Sequence, residues 1–463
     1  MKNKTNYLVT FASDEVSTEE AKSILGLNGR NVIDGVSQLS GDEIPKEKDI
    51  LNFQHMGIAA LELTEQEAEK LRKNKNVLAV EEDTEMHILE IEDEENGEPF
   101  FDVDEESAFD SNEESSFGVN EDYNYQGEQM NDSASSYQKG VSDAIAFIIS
   151  SLTYGRESSL GISFPGSQTP DTLSHVQPIP WNINLVRAPF AWARGTTGLG
   201  VRVAILDTGI AAHPDLVISG GVSFIPGVVS YHDGHGHGTH CAGIAGARNN
   251  AFGVVGVAPR SMLYAVKVLS NSGSGSTQGV IAGMDWCRTH GIKVISMSLG
   301  SNSEPSVAYA QAVKRCQDAG ITVVVAAGNS FGSVFPWVGS PANSIATGTP
   351  NASPIAVGSI GQNLVISPFS SRGGRVPLWN QVTVVAPGSL INSTIPGGYG
   401  IKSGTSMACP HVAGAVALIK QKFPALTPAQ IKARLRATAR DLGPAGVDIA
   451  YGSGLIDCNR ATL

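Results

Sequence analysis

Four side chains that can do acyl-transfer chemistry stand within two residues of a glycine in this sequence. They are Asp207 in Asp207-Thr208-Gly209, His237 in His237-Gly238-Thr239-His240, Asn329 in Ala326-Ala327-Gly328-Asn329, and Ser406 in Gly404-Thr405-Ser406-Met407-Ala408. A serine hydroxyl is a weak nucleophile until a base takes its proton. A histidine does this near neutral pH, and a carboxylate fixes the imidazole tautomer and stabilises its charged form. An asparagine amide, or a backbone N–H at the start of a helix, can hold the oxyanion that develops. Singly these residues have ordinary roles. An Asp-x-Gly is usually a turn, and a serine before a helix is usually its cap. His411, five residues after Ser406, reads as structural.

The elements around these residues must bring them together. Val201 to Leu206, Met262 to Leu269, Val294 to Met297 and Ile321 to Ala326 are near-continuous apolar runs, the pattern of strands buried on both faces. Helical stretches over 277–290 and 307–319 lie among them, and further helices are expected over 407–422 and 428–439. The last has Thr427 as cap, Pro428 in its first turn and Gln430 at the capping-box position. This alternation predicts an α/β domain over 176–463, a parallel sheet with helices on both faces. In such sheets, sites form at the carboxyl ends of strands, where Asp207 and Asn329 stand.

The rest of the chain differs in kind. Residues 1–89 read as a small α+β module. Its strands are Tyr7 to Phe11, Gly57 to Leu63 and Val77 to Val80, and a capping box at Thr64-Glu65-Gln66-Glu67 opens a helix to about Asn74. Residues 90–175 read as a disordered linker with one short apolar stretch, Ala144 to Ile149, of one or two helical turns. From Glu90 to Asp132 there are 17 acidic residues and no Lys or Arg; without them the net charge of -14 becomes +3. The acidity therefore describes one self-repelling segment and not the substrate. No basic stripe suggests a nucleic acid partner, and no 18-residue apolar run suggests a membrane span. Met1-Lys2-Asn3-Lys4 is not followed by a signal-peptide core, which leaves the cytoplasm or export by a non-classical route. Five cysteines, an odd number with no zinc spacing, read as free thiols. A monomer is expected.

The order Asp…His…Ser, together with Asp-Thr-Gly, His-Gly-Thr-His, Ala-Gly-Asn and Gly-Thr-Ser-Met-Ala…Pro-His, resembles the subtilisin-like serine proteases. The resemblance covers 176–463 nearly throughout, and 1–89 resembles that family's ferredoxin-like inhibitory prodomain. It implies Asp207, His237 and Ser406 as triad, Asn329 as oxyanion donor and Thr405 as a weaker second donor. It implies protein substrates, bound as an extended strand between Gly273-Ser274-Gly275 and Ser298-Leu299-Gly300. Broad specificity follows, because main-chain pairing reads no side chain. Ala326, Ala327 and Gly328 would join Ser298 to Gly300 in walling a small uncharged pocket for a large apolar residue before the scissile bond, with Gly332 to Thr349 leaving its floor open. The resemblance also implies a structural calcium ion on Gln177, Asp215 and Asn250 side chains and the carbonyls of Arg248, Phe252 and Val254. Finally, the prodomain tail would run through the active site as an intramolecular inhibitor. Autoprocessing would then fall between Leu89 and Glu90, followed by a second cut in the acidic segment.

Two other readings use the same residues. His232, His235, His237 and His240 lie within nine residues and could hold zinc in a metallohydrolase, which leaves Ser406 and Asn329 without a role. A degenerate, inactive binding module would keep the fold and lose the chemistry, yet no triad position is substituted.

Overall fold

The computed structural model describes residues 4–27, 29–42, 44–46, 48–91, 177–345, 352–374 and 380–463. The Ala144 to Ile149 stretch and the acidic segment beyond Ile91 lie outside the described residues.

The N-terminal region is a five-stranded sheet in the order β2-β3-β4-β1-β5. Its strands are β1 (Thr5–Phe11), β2 (Val32–Asp34), β3 (Ile50–Phe53), β4 (Ile58–Leu63) and β5 (Val77–Glu82). Alternation along β1 sends Tyr7, Val9 and Phe11 into one cluster and Leu8 into another. The first cluster is closed by α1 (Thr18–Leu25) and α3 (Glu65–Arg72), through Ala21, Leu25, Ala68 and Leu71. The expected capping box on Thr64 and Glu67 opens α3, and a second, on Ser17 and Glu20, opens α1. The α1 helix, the short α2 (Gly35–Ser40) and the strands β2 and β3 carry too few turns or residues to give a periodic signal. After β5 the chain forms β6 (Glu85–Ile88), away from the sheet.

The second region begins with two short helices, α4 (Trp181–Leu185) and α5 (Ala188–Trp192). Its centre is a parallel sheet in the order β15-β14-β13-β11-β7-β9-β8. These strands are β7 (Arg202–Asp207), β8 (Ile218–Ser223), β9 (Met262–Lys267), β11 (Val294–Met297), β13 (Thr322–Ala326), β14 (Ile355–Ile360) and β15 (Val384–Pro387). Of the four runs read as doubly buried strands, β11 and β13 are buried throughout, while β7 has an exposed Arg202 and β9 half-buried Met262 and Tyr264. Helices α6 (His237–Gly246) and α9 (Thr405–Lys422) pack on each other, as do α7 (Thr277–Thr289) and α8 (Val307–Asp318). The α10 helix (Pro428–Thr438) has the expected Thr427–Gln430 capping box, and α11 (Cys458–Ala461) ends the chain. Two short strands, β10 (Ser274–Ser276) and β12 (Leu299–Gly300), stand apart from the sheet, and β16 (Ile391–Ile395) with β17 (Gly398–Lys402) is a hairpin leading into α9. No helix among the described residues is long and apolar enough to cross a membrane.

Candidate active site

Asp207 ends β7, next to the central strand β11 of the sheet, and His237 opens α6. The close approach needs glycine: a Cβ on Gly238 would collide with the Gly209 carbonyl and lie 3.1 Å from the Asp207 Cβ. His237 Nδ1 donates to Asp207 Oδ1 at 2.7 Å, with both side chains fully buried. Burial alone would push the imidazole toward its neutral form. The Asp207 carboxylate reverses this and raises the His237 pKa above its usual value. His237 Nε2 is buried and has no hydrogen-bond partner among the described residues, so the nitrogen that would act as base is free.

Sequence reasoning missed the group that shapes this loop. Asp233 is buried and accepts from Thr208 Oγ1 and from the N–H groups of His235, Gly236 and Thr239, all at 2.8–2.9 Å, and from Thr239 Oγ1 at 2.6 Å. Burial works against its charge, but these bonds outweigh it and hold its pKa low. It thereby satisfies the orphan amides at the start of α6 and fixes where His237 emerges. A lone aspartate four residues before His237 carries no signal for this.

Ser406 lies in the first turn of α9, which begins at Thr405 rather than Met407. A first-turn N–H has no partner inside its helix, and that of Ser406 donates to the carbonyl of Leu89 at 3.3 Å. Pro410, one turn on, has no N–H to return to the Ser406 carbonyl. That carbonyl is instead taken by Ser298 Oγ at 2.8 Å and Cys241 Sγ at 3.5 Å. The Ser406 hydroxyl donates to the Ser298 carbonyl at 3.0 Å and accepts from the Leu89 N–H at 3.2 Å. It is therefore not bonded to His237 in this state.

Asn329, after β13, has its carboxamide oxygen held by the Thr405 N–H at 2.9 Å and the Thr405 hydroxyl at 2.8 Å. Thr405 has a further role that the sequence did not suggest. In this state its hydroxyl proton goes to Asn329, so it positions the carboxamide. Asn329 Nδ2 is thereby turned the other way, buried and without a partner among the described residues. A Cβ on Gly404 would collide with the Leu89 carbonyl oxygen and lie 3.1 Å from Asn329 Nδ2. Only glycine lets that carbonyl in beside the two donors.

The prodomain tail occupies the cleft. Strand β6 lies between β10 and β12, antiparallel to both, with Ser274 opposite His87, Gly275 opposite Met86, Leu299 opposite Ile88 and Gly300 opposite His87. The Ile88 N–H donates to the Gly273 carbonyl at 3.0 Å. Met86 is fully buried, and a Cβ on Gly300 would lie 3.2 Å from the Leu89 side chain. Ala327 and Gly328 are tied down behind it: the Ala327 carbonyl accepts from Gly339 at 3.0 Å, and the Gly328 N–H donates to Thr405 Oγ1 at 3.2 Å. The first described part of the 332–349 insert thus docks through Gly339, and 346–349 lie outside the described residues. Upstream, Glu81 accepts from Val307 and Ala308 N–H at 3.0 and 2.8 Å at the start of α8, and Asp83 from Gln278 N–H at 3.1 Å at the start of α7. Both carboxylates sit where helix amides lack partners.

The four histidines of the zinc reading do not converge. His240 Nε2 is committed to the carbonyls of Ile391 and Gly400 at 2.9 and 3.0 Å, and burial lowers its pKa to about 3. Among the described residues, the one set of three metal-type side chains whose ligand atoms all lie within 4.8 Å of one another is Asp207, His237 and Cys241. His411 is structural, bonded to Asn182 and to the Met407 carbonyl. All five cysteines are free and buried.

The residues expected to hold calcium do come together. Gln177 Oε1 accepts from Asn250 N–H at 2.8 Å, and Gln177 Nε2 donates to the Phe252 carbonyl at 2.6 Å. Asp215 accepts from Asn250 Nδ2 and Val254 N–H, both at 2.9 Å, and its carbonyl from Arg248 N–H at 2.8 Å. The implied donor set is one carboxylate, two carboxamides and three carbonyls, all hard oxygens of the kind calcium takes; of the carbonyls, that of Phe252 is bonded within this group.

Residues 198–454 match the profile of the Subtilase family, and residues 6–89 that of peptidase inhibitor I9. The chain is 47% identical over 287 residues to subtilisin Savinase of Lederbergia lenta, covering 62% of this chain and 99% of that protein. It is also 47% identical over 287 residues to an alkaline protease of Alkalihalobacillus alcalophilus, covering 62% and 70%. Subtilisin amylosacchariticus of Bacillus subtilis is 43% identical over 298 residues, covering 63% and 74%.

Proposed function

The chain belongs to the subtilase family and is a serine protease with an I9-type prodomain; from that premise we propose an autoprocessed endopeptidase whose first cut is its own Leu89–Glu90 bond. The observation that carries this is the Leu89 carbonyl, 3.3 Å from the Ser406 N–H, on a chain that continues through the cleft to Ile91, whose N–H bonds to the Ser403 carbonyl at 2.9 Å.

Rotation of the Ser406 side chain takes its hydroxyl off Ser298 and onto the free Nε2 of His237. Oγ attacks the Leu89 carbonyl as its proton passes to Nε2, and Asp207 stabilises the imidazolium. The oxyanion is held by the Ser406 N–H, already on the Leu89 carbonyl at 3.3 Å, and by Asn329 Nδ2, which has no partner until charge develops. His237 then gives the proton to the Glu90 nitrogen, and the peptide bond breaks, leaving Leu89 as an ester on Ser406. Water, deprotonated by His237, cleaves the ester and frees the Leu89 carboxylate. The small wall at Gly300 accommodates leucine, so a large apolar residue is preferred before the bond. The released prodomain stays as a product-like inhibitor, since strand pairing outlasts the broken bond. Calcium on Gln177, Asp215, Asn250 and the carbonyls of Arg248, Phe252 and Val254 would tie three distant segments together.

Intact mass of the first fragment formed tests the assignment. A species of residues 1–89 is expected; a primary cut beyond about Asp132 would sink it.

A further inference from the structure

Past the bond at Ser406, Glu90 turns its side chain inward, where it is 12% exposed and meets Lys402 Nζ at 2.5 Å; Lys402 is itself 19% exposed. The second Glu90 oxygen is buried and has no hydrogen-bond partner among the described residues. A half-neutralised carboxylate in such a place depends on its one cation. Lys402 is the last residue of β17, and the next residue, Ser403, pairs through its carbonyl with Ile91. In that antiparallel register Gly404 lies opposite Glu90, and Lys402, two positions along on the same face, reaches the residue after the scissile bond diagonally through its side chain.

We propose that Lys402 makes this protease select an acidic residue, glutamate or aspartate, immediately after the bond it cuts. The proposal rests on the reading that Leu89–Glu90 is the bond at Ser406. Chemistry at the base supports it. The Glu90 charge favours the protonated form of His237, which cannot take the serine proton, while Lys402 opposes that effect. An acidic residue there is thus both bound and compensated by one lysine. A basic residue would place two cations side by side next to a base that must itself become cationic. The remaining charge within this group is Asp207, bonded to His237.

Mature enzyme and peptides with the sequence of residues 85–91 test this, with position 90 as glutamate, glutamine or lysine. Product masses locate the cut, and kcat/KM is compared within each enzyme. Cleavage after the leucine is expected, with glutamate ahead of glutamine by roughly fivefold and ahead of lysine by more than about tenfold, as for partly buried ion pairs. The preference should shrink in about 1 M salt, where charges are screened. Lys402→Arg should keep it, Lys402→Met should flatten it, and Lys402→Glu should reverse it. Cleavage after leucine with equal rates for the three peptides overturns the selectivity alone. So does a glutamate preference that survives Lys402→Met. Cleavage at another bond overturns the assignment of Leu89 and the proposal with it. The wild-type salt series decides the question even if a variant fails to fold.

Discussion

Both sheets of this protein are covered on two sides, but by different partners. The seven-stranded sheet is packed by helices of its own region. The five-stranded sheet buries Tyr7, Val9, Phe11, Ala59, Leu61 and Leu63 against its own helices. Its other face, Leu8, Leu51, Phe53, Ile58 and Ala60, joins the core of the peptidase, where α7 and α8 pack on it. One region can therefore close its core alone, and the other is finished by its neighbour. A domain of some 90 residues has little surplus stability to lose. The prodomain is tied to the enzyme by its fold as well as by its tail.

The largest effect that would sharpen this contrast is chemical. Ser406→Ala should leave the precursor uncut on gels and by mass, since losing a triad serine costs about a millionfold, a magnitude known from subtilisin itself. A processed Ser406→Ala protein would contradict the triad. Asn329→Ala should fold and bind substrate with little change in KM while kcat falls by about a hundred- to a thousandfold, again the scale known from subtilisin. Turnover within a few-fold of the unsubstituted enzyme would remove Asn329 from the mechanism.

The folding contrast is tested directly by the fragment of residues 1–89. Alone, it should show weak, non-cooperative melting by circular dichroism, and it should gain structure on adding Ser406→Ala peptidase. Ile58→Asp, on the shared face, should weaken its inhibition by about a hundredfold or more, because it buries an unpaired charge. A fragment that melts cooperatively by itself would show that the peptidase face is not needed.

Docking should also depend on pH. Burial raises the Asp83 carboxyl to about 6, although the backbone N–H groups of Gln278 and Thr277 work against this. In the free fragment an exposed aspartate titrates near 4. The docked state therefore holds the proton more tightly, and its contribution to affinity is complete below about pH 4 and lost as pH rises through about 6. The inhibition constant should worsen by about tenfold between pH 5 and pH 8, and Asp83→Asn should remove that part of the slope. A slope unchanged by Asp83→Asn would assign it to another group, such as Asp285, which is also raised to about 6 by burial.

The smallest effect belongs to the peptidase alone. Calcium should raise the melting midpoint of the mature enzyme by a few degrees, since a ligand held only by the native state stabilises it. Equal midpoints in chelator and in millimolar calcium would leave the 248–254 loop without an ion.

Much of this was legible before any coordinates. Asp207, His237, Asn329 and Ser406 announce themselves because each is a demanding residue type within two residues of a glycine, Asp207 and Asn329 at the ends of apolar runs. The β7, β11 and β13 strands were legible because doubly buried strands are apolar throughout, and α3 and α10 because a capping box is local. The sequence by itself thus determined the chemical groups and the elements that carry them. The tertiary structure alone decided how distant groups divide the work. Thr405 holds the Asn329 carboxamide, Asp233 organises the start of α6, and Lys402 meets Glu90 across 312 positions. Such pairings leave no periodic or short-range trace, because they arise only when separate loops converge at one edge of a sheet and burial forces each polar group to find a partner.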